Sequence, residues 1–449
     1  MKRGFLKTRR GKEILSIDTL RARVNANKDG KDVSTIVHHL LPLNPGTEED
    51  EQLWKASQFT EDAPSDKLDY EPHELVCTTQ PAQLNSATRE TNPDGWSECL
   101  VSGLMKQTIL KTPSFPQPLS HPDRIRHRVS SGTSNKPLPG LYATETLELG
   151  DLVLSERPVL VVPAMVRTGV IFHDHLTPQQ MNEIAMAQWN KTLKVAFSRL
   201  SKEDQEAFWK LRDVFQKNGK KKMYGVVRTN GFRVQGLDDP GLENNYGHIA
   251  DCRPNVERCW DMASFSMQLR AMRKITRDEE LTVSFIDQLQ PYATRKVELE
   301  KFDIVCSCPS CKKPKLGDKR RAQFEQGTVR AAEIVDWVKD ISLSDDHLIK
   351  RALVQISLLE ADGLENSPYY EENLLAIMIV YITLGDAVKA ERWGRKLGTW
   401  KMCRYGPQAA EEYKSPERYT KHELWKVRVD ANNSYRATVM AINEKKKQG

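Results

Sequence analysis

The spacing of apolar residues along the chain predicts two kinds of segment. Residues 140–163 contain short β-branched runs interrupted by glycine and proline, which predicts short strands joined by turns. From Thr177 to Asn218 apolar residues recur at steps of three and four, the spacing of a helix face. Within this segment Ser201 is followed by Glu203 and Asp204, which is typical of a helix N-terminus because acids favour the first turn.

After residue 218 the sequence shows a second group of strand-like runs, followed by a long helical region. Residues 225–234 and 256–283 carry strand-like runs, and from Gln323 to Ile442 the pattern is helical almost throughout. Residues 373–384 and 387–397 form two amphipathic segments separated by a Gly-Asp break, and this hairpin is similar to a tetratricopeptide repeat. A plain helical cap is the alternative interpretation.

The first part of the chain has a different composition. Residues 1–127 are rich in polar residues and in Asn-Pro and other breaker pairs, which predicts a mostly disordered or draped N-terminal extension. Residues 96–105 are more apolar. We predict that they form a short helix that docks on the folded part of the chain.

Length and hydropathy narrow the class of protein. The 449 residues allow about two to four domains. The longest apolar run, Leu374–Leu384, is about half of the ~20 residues that a membrane-spanning helix needs. The N-terminus lacks the apolar core of a secretory signal, and Glu13 and Asp18 argue against a transit peptide. We therefore expect no membrane association and an intracellular protein of the nucleus or cytoplasm.

The charge balance is only mildly basic. There are 67 Lys and Arg residues against 61 Asp and Glu residues, a net charge of +6. The basic runs at residues 7–12, 217–222 and 319–321 are short and scattered, and no aromatic residues interleave with them. We interpret them as solvated surface and do not expect a nucleic-acid partner.

The cysteines carry the sharpest chemical signal. Three of the eight, Cys306, Cys308 and Cys311, lie within six residues in a C-x-C-x-x-C pattern. Three thiolates this close can occupy three corners of a tetrahedron around zinc, while a fourth ligand comes from elsewhere. Cys252 lies in a turn-rich stretch that could supply it. The alternative is a set of buried thiols without a metal.

Several motifs together resemble a SET domain with post-SET zinc cysteines. They are the Asp-Cys-Arg-Pro-Asn sequence at 251–255, the segment 275–287 with its Asp-Glu-Glu-Leu-Thr core, and the C-x-C-x-x-C, in that order. The opening Gly-Leu-Tyr-Ala at 140–143 also matches the start of that domain. The helical insertion and helical C-terminal region resemble the SMYD-like branch (SET and MYND, fungal type). The MYND finger itself is absent, since residues 163–223 contain no cysteine.

The resemblance implies an α+β fold built on a SET-type β-fold with a pseudoknot, in which two segments thread past each other. It also implies a post-SET zinc site and an all-helical, tetratricopeptide-like C-terminal region. The expected boundaries are 1–127 for the extension, 128–304 for the SET domain with a helical insertion at about 166–222, 305–315 for the zinc segment and 320–449 for the helical region.

The same resemblance implies an activity and a set of ligands. A SET domain binds S-adenosylmethionine and transfers its methyl group to a lysine of a histone or another protein. The cofactor-binding positions fall at Gly140, Asn230, Ile249 and Ala250, and Cys252 is the implied fourth zinc ligand beside the three clustered cysteines.

This sequence departs from the family at several of these positions. Ile249 and Ala250 stand where the family has Asn and His, and Phe285 stands where the family has the tyrosine that closes the lysine channel. An alignment with an insertion before the cysteine would use Asn245 and His248 instead. Loss of one well-placed polar group in a closed site costs about 10²–10³ in rate.

Two functional hypotheses follow from these departures. The first is an S-adenosylmethionine-dependent protein-lysine N-methyltransferase of the SET type. The second is a catalytically impaired SET-fold pseudoenzyme that binds a peptide partner through its helical C-terminal region.

Overall fold

The computed structural model describes residues 59–83, 92–130, 140–163, 177–216, 219–232, 234, 236–237, 254–284, 286–302 and 304–448. The chain forms two compact units. The first comprises residues up to Leu119, Arg157–His248 and Met262–Ser266, and the second comprises Ser120–Glu156, Ile249–Asp261 and Met267–Gly449. Among the described residues, no helix has both the length and the apolar character needed to cross a membrane.

The described strands are short and are numbered in chain order. They are β1 (Phe59–Thr60), β2 (Leu75–Gln80), β3 (Ser97–Ser102), β4 (His127–Ser130), β5 (Gly140–Ala143), β6 (Leu152–Glu156), β7 (Leu160–Val161), β8 (Val256–Asp261) and β9 (Ser266–Ala271).

The described helices are numbered in the same way. They are α1 (Gly103–Leu110), α2 (Pro178–Ser198), α3 (Lys202–Lys210), α4 (Met223–Asn230), α5 (Tyr292–Glu300), α6 (Pro309–Lys312), α7 (Pro314–Gly327), α8 (Ala331–Lys339), α9 (His347–Asp362), α10 (Pro368–Thr383), α11 (Ala387–Tyr405), a 3₁₀ helix (Pro407–Tyr413), α12 (Glu417–Thr420) and α13 (Val427–Gln448).

The first unit is built on a sheet with the strand order β1-β2-β3-β7. β2 and β3 are antiparallel, whereas the outer pairs are parallel. Apolar side chains of α2, α3 and α4 pack on this sheet, with Trp189, Phe208 and Val226 buried against Cys77 and Leu100. Burial of this apolar surface is what holds the helices to the sheet.

A buried ion pair also belongs to the first unit. Glu98 on β3 is only 3% exposed, and its carboxylate accepts a hydrogen bond of 2.7 Å from the Arg199 guanidinium and one from the Thr79 hydroxyl. Burial raises the pKa of Glu98, while these hydrogen bonds act in the opposite direction. The polar groups of β2 and β3 are therefore part of the interior rather than of the solvated surface.

The second unit contains the sheet β6-β9-β8, in which β6 and β9 are antiparallel, and the antiparallel β4-β5 pair. An apolar cluster that includes Val153, Val256, Ala271 and Leu281 fills the space between these strands and the segment that follows β9. A backbone bridge between Tyr142 of β5 and Glu280 adds that segment to the structure.

The helical region of the second unit has a large apolar core. The hairpin of α10 and α11 lies at its centre, and Leu374, Ile377 and Trp400 are completely buried. Gly385 in the turn has φ +71°, and a Cβ there would come within 2.7 Å of Lys426. Glycine is required at this turn because both the backbone conformation and the close approach exclude a side chain.

Several expectations from the sequence are confirmed at the level of elements. Strands β5, β6 and β7 occupy residues 140–163, helices α2 and α3 occupy most of 177–218, and helices dominate from residue 314 onward. The Ser201 hydroxyl accepts a hydrogen bond of 3.0 Å from the Asp204 backbone N–H, as expected for an N-cap.

Other expectations are wrong. Residues 97–102, predicted to be helical, form strand β3, and α1 begins only at Gly103. All six residues of β3 are buried, and a continuously buried strand cannot be distinguished from a helix by periodicity. Residues 225–230, part of the strand predicted at 225–234, lie in α4, because Met223 and Val226 recur at helical spacing and face the core of the first unit.

The predicted N-terminal extension also differs in part. Strands β1 and β2 lie within residues 59–80, where we expected mostly disordered chain. The polar residues that suggested disorder include Thr79, which is buried and donates a hydrogen bond to Glu98. Residues 1–58 lie outside the described residues.

Truncation of a core leucine in α10 tests this packing. We expect Leu374→Ala to lower the free energy of unfolding by about 2–5 kcal/mol, because the side chain is completely buried and leaves a cavity. Leu375→Ala is the matched control, since Leu375 is 37% exposed and its loss costs within about 0.5 kcal/mol. Urea unfolding followed by circular dichroism measures both. Equal destabilisation by the two variants would contradict the described core.

Candidate functional site

The three clustered cysteines come together in the structure. The Sγ atoms of Cys306, Cys308 and Cys311 all lie within 4.8 Å of one another. Around a tetrahedral zinc with Zn–S bonds of about 2.3 Å, neighbouring sulfurs lie about 3.8 Å apart. The donor set and its spacing therefore fit a zinc ion after a small contraction.

The local sequence explains this geometry. Cys308 caps the short helix α6, and its Sγ accepts a hydrogen bond from the Cys311 backbone N–H at 3.4 Å. Pro309 occupies the first position of the helix, where its missing N–H costs nothing. Leu299 and Ile304 pack beneath the cysteines and form an apolar floor.

Four other predicted site residues lie outside the described residues. They are Cys252, Ile249, Ala250 and Phe285. The fourth zinc ligand, two of the four cofactor positions and the position of the family tyrosine therefore stay predictions from the sequence.

Gly140, the first residue of β5, is described, and the side chains of Tyr142 and Glu280 occupy the space next to its Cα atom. A Cβ at Gly140 would lie 2.9 Å from the Tyr142 ring and 3.0 Å from the Glu280 carboxylate. The space that a glycine leaves beside the backbone is thus occupied by the chain's own side chains.

Asn230, at the C-terminal end of α4 in the first unit, is also described. Its amide group donates hydrogen bonds to the carbonyl oxygens of Arg212 at 2.7 Å and Val226 at 2.8 Å. These bonds fix the end of α4 to the loop after α3. Neither Gly140 nor Asn230 presents an open cradle for a ligand, and the other two predicted cofactor positions, Ile249 and Ala250, lie outside the described residues.

Asn255, which sequence reasoning missed, is the best-connected residue of this part of the second unit. It is 1% exposed. Its amide donates to the Glu280 carbonyl at 2.8 Å and to the Glu279 carboxylate at 3.1 Å, and its carbonyl oxygen accepts from the Thr282 backbone N–H at 2.8 Å. The sequence places it at the end of the Asp-Cys-Arg-Pro-Asn motif of the SET resemblance, but sequence reasoning gave it no role of its own.

We call the contact of Asn255 with the Glu279–Thr282 segment the junction. At this junction Glu279 is held by an ion pair with Arg273 and by hydrogen bonds. Partial burial raises its pKa, but hydrogen bonds from Arg273 at 2.6 Å, from the Thr276 N–H and from Asn255 outweigh that effect and leave the pKa below its ordinary value. The ionised carboxylate is therefore the form that the folded chain stabilises.

A cavity of about 530 Å³ lies beside this junction within the second unit. Asn255, Arg273 and Cys308 contribute to its lining, which therefore joins the junction to the cysteine cluster. The volume falls in the range of about 300–1,000 Å³ that is typical of ligand sites. Its acidic lining residues are Glu279, Glu280, Glu360 and Glu365. Arg273 pairs with Glu279 and Glu365, and Lys396 lies 3.8 Å from Glu360, so part of this negative charge is compensated within the protein. The remaining excess of carboxylates makes the cavity better suited to a cationic group than to an anion.

The curated proteins to which this chain is similar share one enzyme name. No protein-family profile matches the chain. The chain is similar to proteins named histone-lysine N-methyltransferases.

Two of these relatives come from distant organisms. The chain is 29% identical over 144 residues to histone-lysine N-methyltransferase set5 of Schizosaccharomyces pombe, which covers 30% of this chain and 44% of that protein. It is 32% identical over 141 residues to human histone-lysine N-methyltransferase SMYD1, covering 26% of this chain and 28% of that protein. The chain thus spans less than half the length of these relatives.

Removal of the Glu279 charge should change the pH dependence of stability. Because the folded-state pKa is depressed, the carboxylate contributes stability that is fully present above the ordinary glutamate pKa and is lost as pH falls through the folded-state pKa. We expect Glu279→Gln to lower the melting temperature at pH 7 and the difference from wild type to shrink towards about pH 3. The exposed Glu423→Gln is the control. A difference that grows on acidification would refute the depressed pKa.

Metal content tests the cysteine cluster. We expect the purified chain to carry about one zinc ion, and Cys308→Ser to lose it because a thiolate ligand is removed. Elemental analysis measures the metal, and a chelator should lower the melting temperature of wild type only. Cys77→Ala, at a buried cysteine of the first unit, should keep its zinc. Retention of full zinc by Cys308→Ser would show that the cluster is not the ligand set.

Proposed function

We propose that the chain is an S-adenosylmethionine-dependent protein-lysine N-methyltransferase of the SET type, which acts on a lysine of a histone or another protein. The observation that carries the proposal is the buried junction at Asn255. There Asn255, the last residue of the Asp-Cys-Arg-Pro-Asn sequence, is bonded to the Glu279–Thr282 segment, as two threaded segments of a SET domain would require. The similarity to proteins named histone-lysine N-methyltransferases supports the same class.

The cysteine cluster is the second support. We propose that it is a post-SET zinc site, with Cys252 as the fourth ligand. Cys252 precedes Asn255 by three residues, and Asn255 is held against the segment that leads towards the clustered cysteines. The metal would tie the end of the SET domain to the loop that carries Cys252.

The acidic cavity is where we propose that the substrate's lysine segment is recognised. Glu360 and Glu365 come from the helical region, and Glu279 and Glu280 from the junction. Carboxylates on both sides attract a lysine or its basic neighbours and raise the rate of encounter. Because we propose a histone or another intracellular protein as the substrate, we propose that the chain acts in the nucleus or cytoplasm.

A second candidate function rests on a different observation. The filled space at Gly140 and the engaged amide of Asn230 favour a SET-fold protein without cofactor, which binds a peptide through the helical region at residues 320–449. In that case the metal and the junction would serve the fold, and the helical region would supply the partner surface.

Calorimetric titration of S-adenosylmethionine into the zinc-loaded chain distinguishes the two functions. We expect saturable heat at concentrations up to about 1 mM, the upper end of typical KM values. If binding occurs, Phe285→Tyr should increase methylation of a histone mixture by up to about 10²–10³-fold, because it restores a hydroxyl at the family position. Phe232→Tyr, at an exposed phenylalanine of the first unit, should leave methylation unchanged.

Two results would count against the methyltransferase. Absence of heat at every concentration would leave the non-catalytic function. Cofactor binding without methylation by either wild type or Phe285→Tyr would show that the chain binds S-adenosylmethionine but does not transfer its methyl group.

A further inference from the structure

A buried arginine lies next to the cysteine cluster. Arg295 of α5 has a side chain with 0% exposure. Its Nη2 lies 3.9 Å from the Cys311 Sγ, a long N–H···S contact, and its Nη1 donates to the Gln290 carbonyl at 2.6 Å. The guanidinium is therefore aimed at one of the three candidate metal ligands.

The charge of Arg295 is poorly compensated by the described protein groups. Its nearest carboxylate, Asp318, lies 3.7 Å away and is itself 35% exposed. The Nε of Arg295 is buried and has no hydrogen-bond partner. A buried cation whose one ion pair is long and partly solvated, and which keeps an unsatisfied N–H, is costly unless another negative group lies nearby.

A zinc ion bound to thiolates supplies such a group. Three thiolates around Zn²⁺ carry a net charge of about −1, and four carry about −2. Cys311 is buried and packs with Leu299 and Ile304, so the negative charge on this thiolate lies on the apolar side of the cluster, where it interacts with a buried cation more strongly than in water. Lys312 and Lys313 lie in the same segment but are exposed, so water and salt screen their charges.

We propose that Arg295 is a positioning residue of the metal site, which neutralises the zinc-thiolate charge and orients Cys311 through its N–H···S contact. This inference rests on the proposed zinc site. It assigns to one buried arginine the role that hydrogen-bond donors play around metal ligands in general, where their loss costs about 10–100-fold in metal affinity.

Zinc affinity of the full-length chain tests the role directly. Competition with a chromophoric chelator measures the affinity. We expect Arg295→Met to weaken zinc binding by about 10–100-fold, and Arg295→Lys to weaken it less because the positive charge is kept. Lys296→Met removes a positive charge from the neighbouring exposed residue and should leave the affinity unchanged.

A further variant separates the electrostatic role from a merely structural one. Asp318 contacts Arg295 and also accepts a hydrogen bond of 2.8 Å from the Tyr292 N–H at the start of α5. Asp318→Asn weakens the same contacts with Arg295 and with the start of α5. It also removes a negative charge that competes with the zinc-thiolate centre for Arg295. We therefore expect its zinc affinity to match or exceed that of wild type. Cobalt substitution gives a second readout, because the sulfur-to-cobalt absorption band should shift in Arg295→Met and not in Asp318→Asn.

The outcomes separate the two proposals. Equal zinc affinity and equal cobalt spectra for wild type and Arg295→Met would overturn the role of Arg295 while leaving the metal site in place. Weaker binding by Asp318→Asn to the same degree as Arg295→Met would also overturn it, since a structural role would then account for both. Absence of metal from wild type would overturn the zinc site and the role of Arg295 together.

Discussion

A buried carboxamide must find its hydrogen-bond partners within the protein, and Asn255 does so with two segments distant in sequence. Its amide and carbonyl groups bind the backbone at Glu280 and Thr282, so the start of β8 and the segment after β9 are held side by side. An unsatisfied group here would cost about 1–3 kcal/mol. The cavity, the Glu279 ion pair and the approach to the cysteine cluster all depend on this alignment.

Two buried arginines of the same unit, Arg428 and Arg295, differ in how fully their positive charges are balanced by hydrogen-bond partners. Arg428 is 1% exposed and donates to the carbonyl oxygens of Trp337, Asp340 and Leu343, so backbone dipoles share its charge. Arg295 has one carbonyl, one long ion pair with the partly exposed Asp318 and the Cys311 thiol. The first arrangement is complete within the protein, whereas the second leaves room for an anionic centre at the cysteines.

The helical region and the cysteine cluster could be predicted from the sequence because each depends on local spacing. Leu374 and its neighbours follow the helical period, and C-x-C-x-x-C brings its thiols together within one turn. Strand β3 and helix α4 could not, because their state is decided by tertiary packing. The role of Asn255 could not be predicted either, because its partners lie more than twenty residues further along the chain, although the residue itself ends the Asp-Cys-Arg-Pro-Asn motif.

The residues that fold this part of the chain are distinct from those that would decide catalysis. Asn255 aligns the two segments of the junction whether or not a methyl group is transferred, so this arrangement indicates a class of fold and not an activity. By the SET resemblance Phe285 stands at the position of a tyrosine, and a missing hydroxyl there would require no change in the hydrogen bonds of Asn255. A chain can therefore keep the architecture while its rate falls. The lining of the cavity keeps an excess of carboxylates, although Glu279 and Glu360 already have partners in Arg273 and Lys396, and a cationic ligand would add to these pairs.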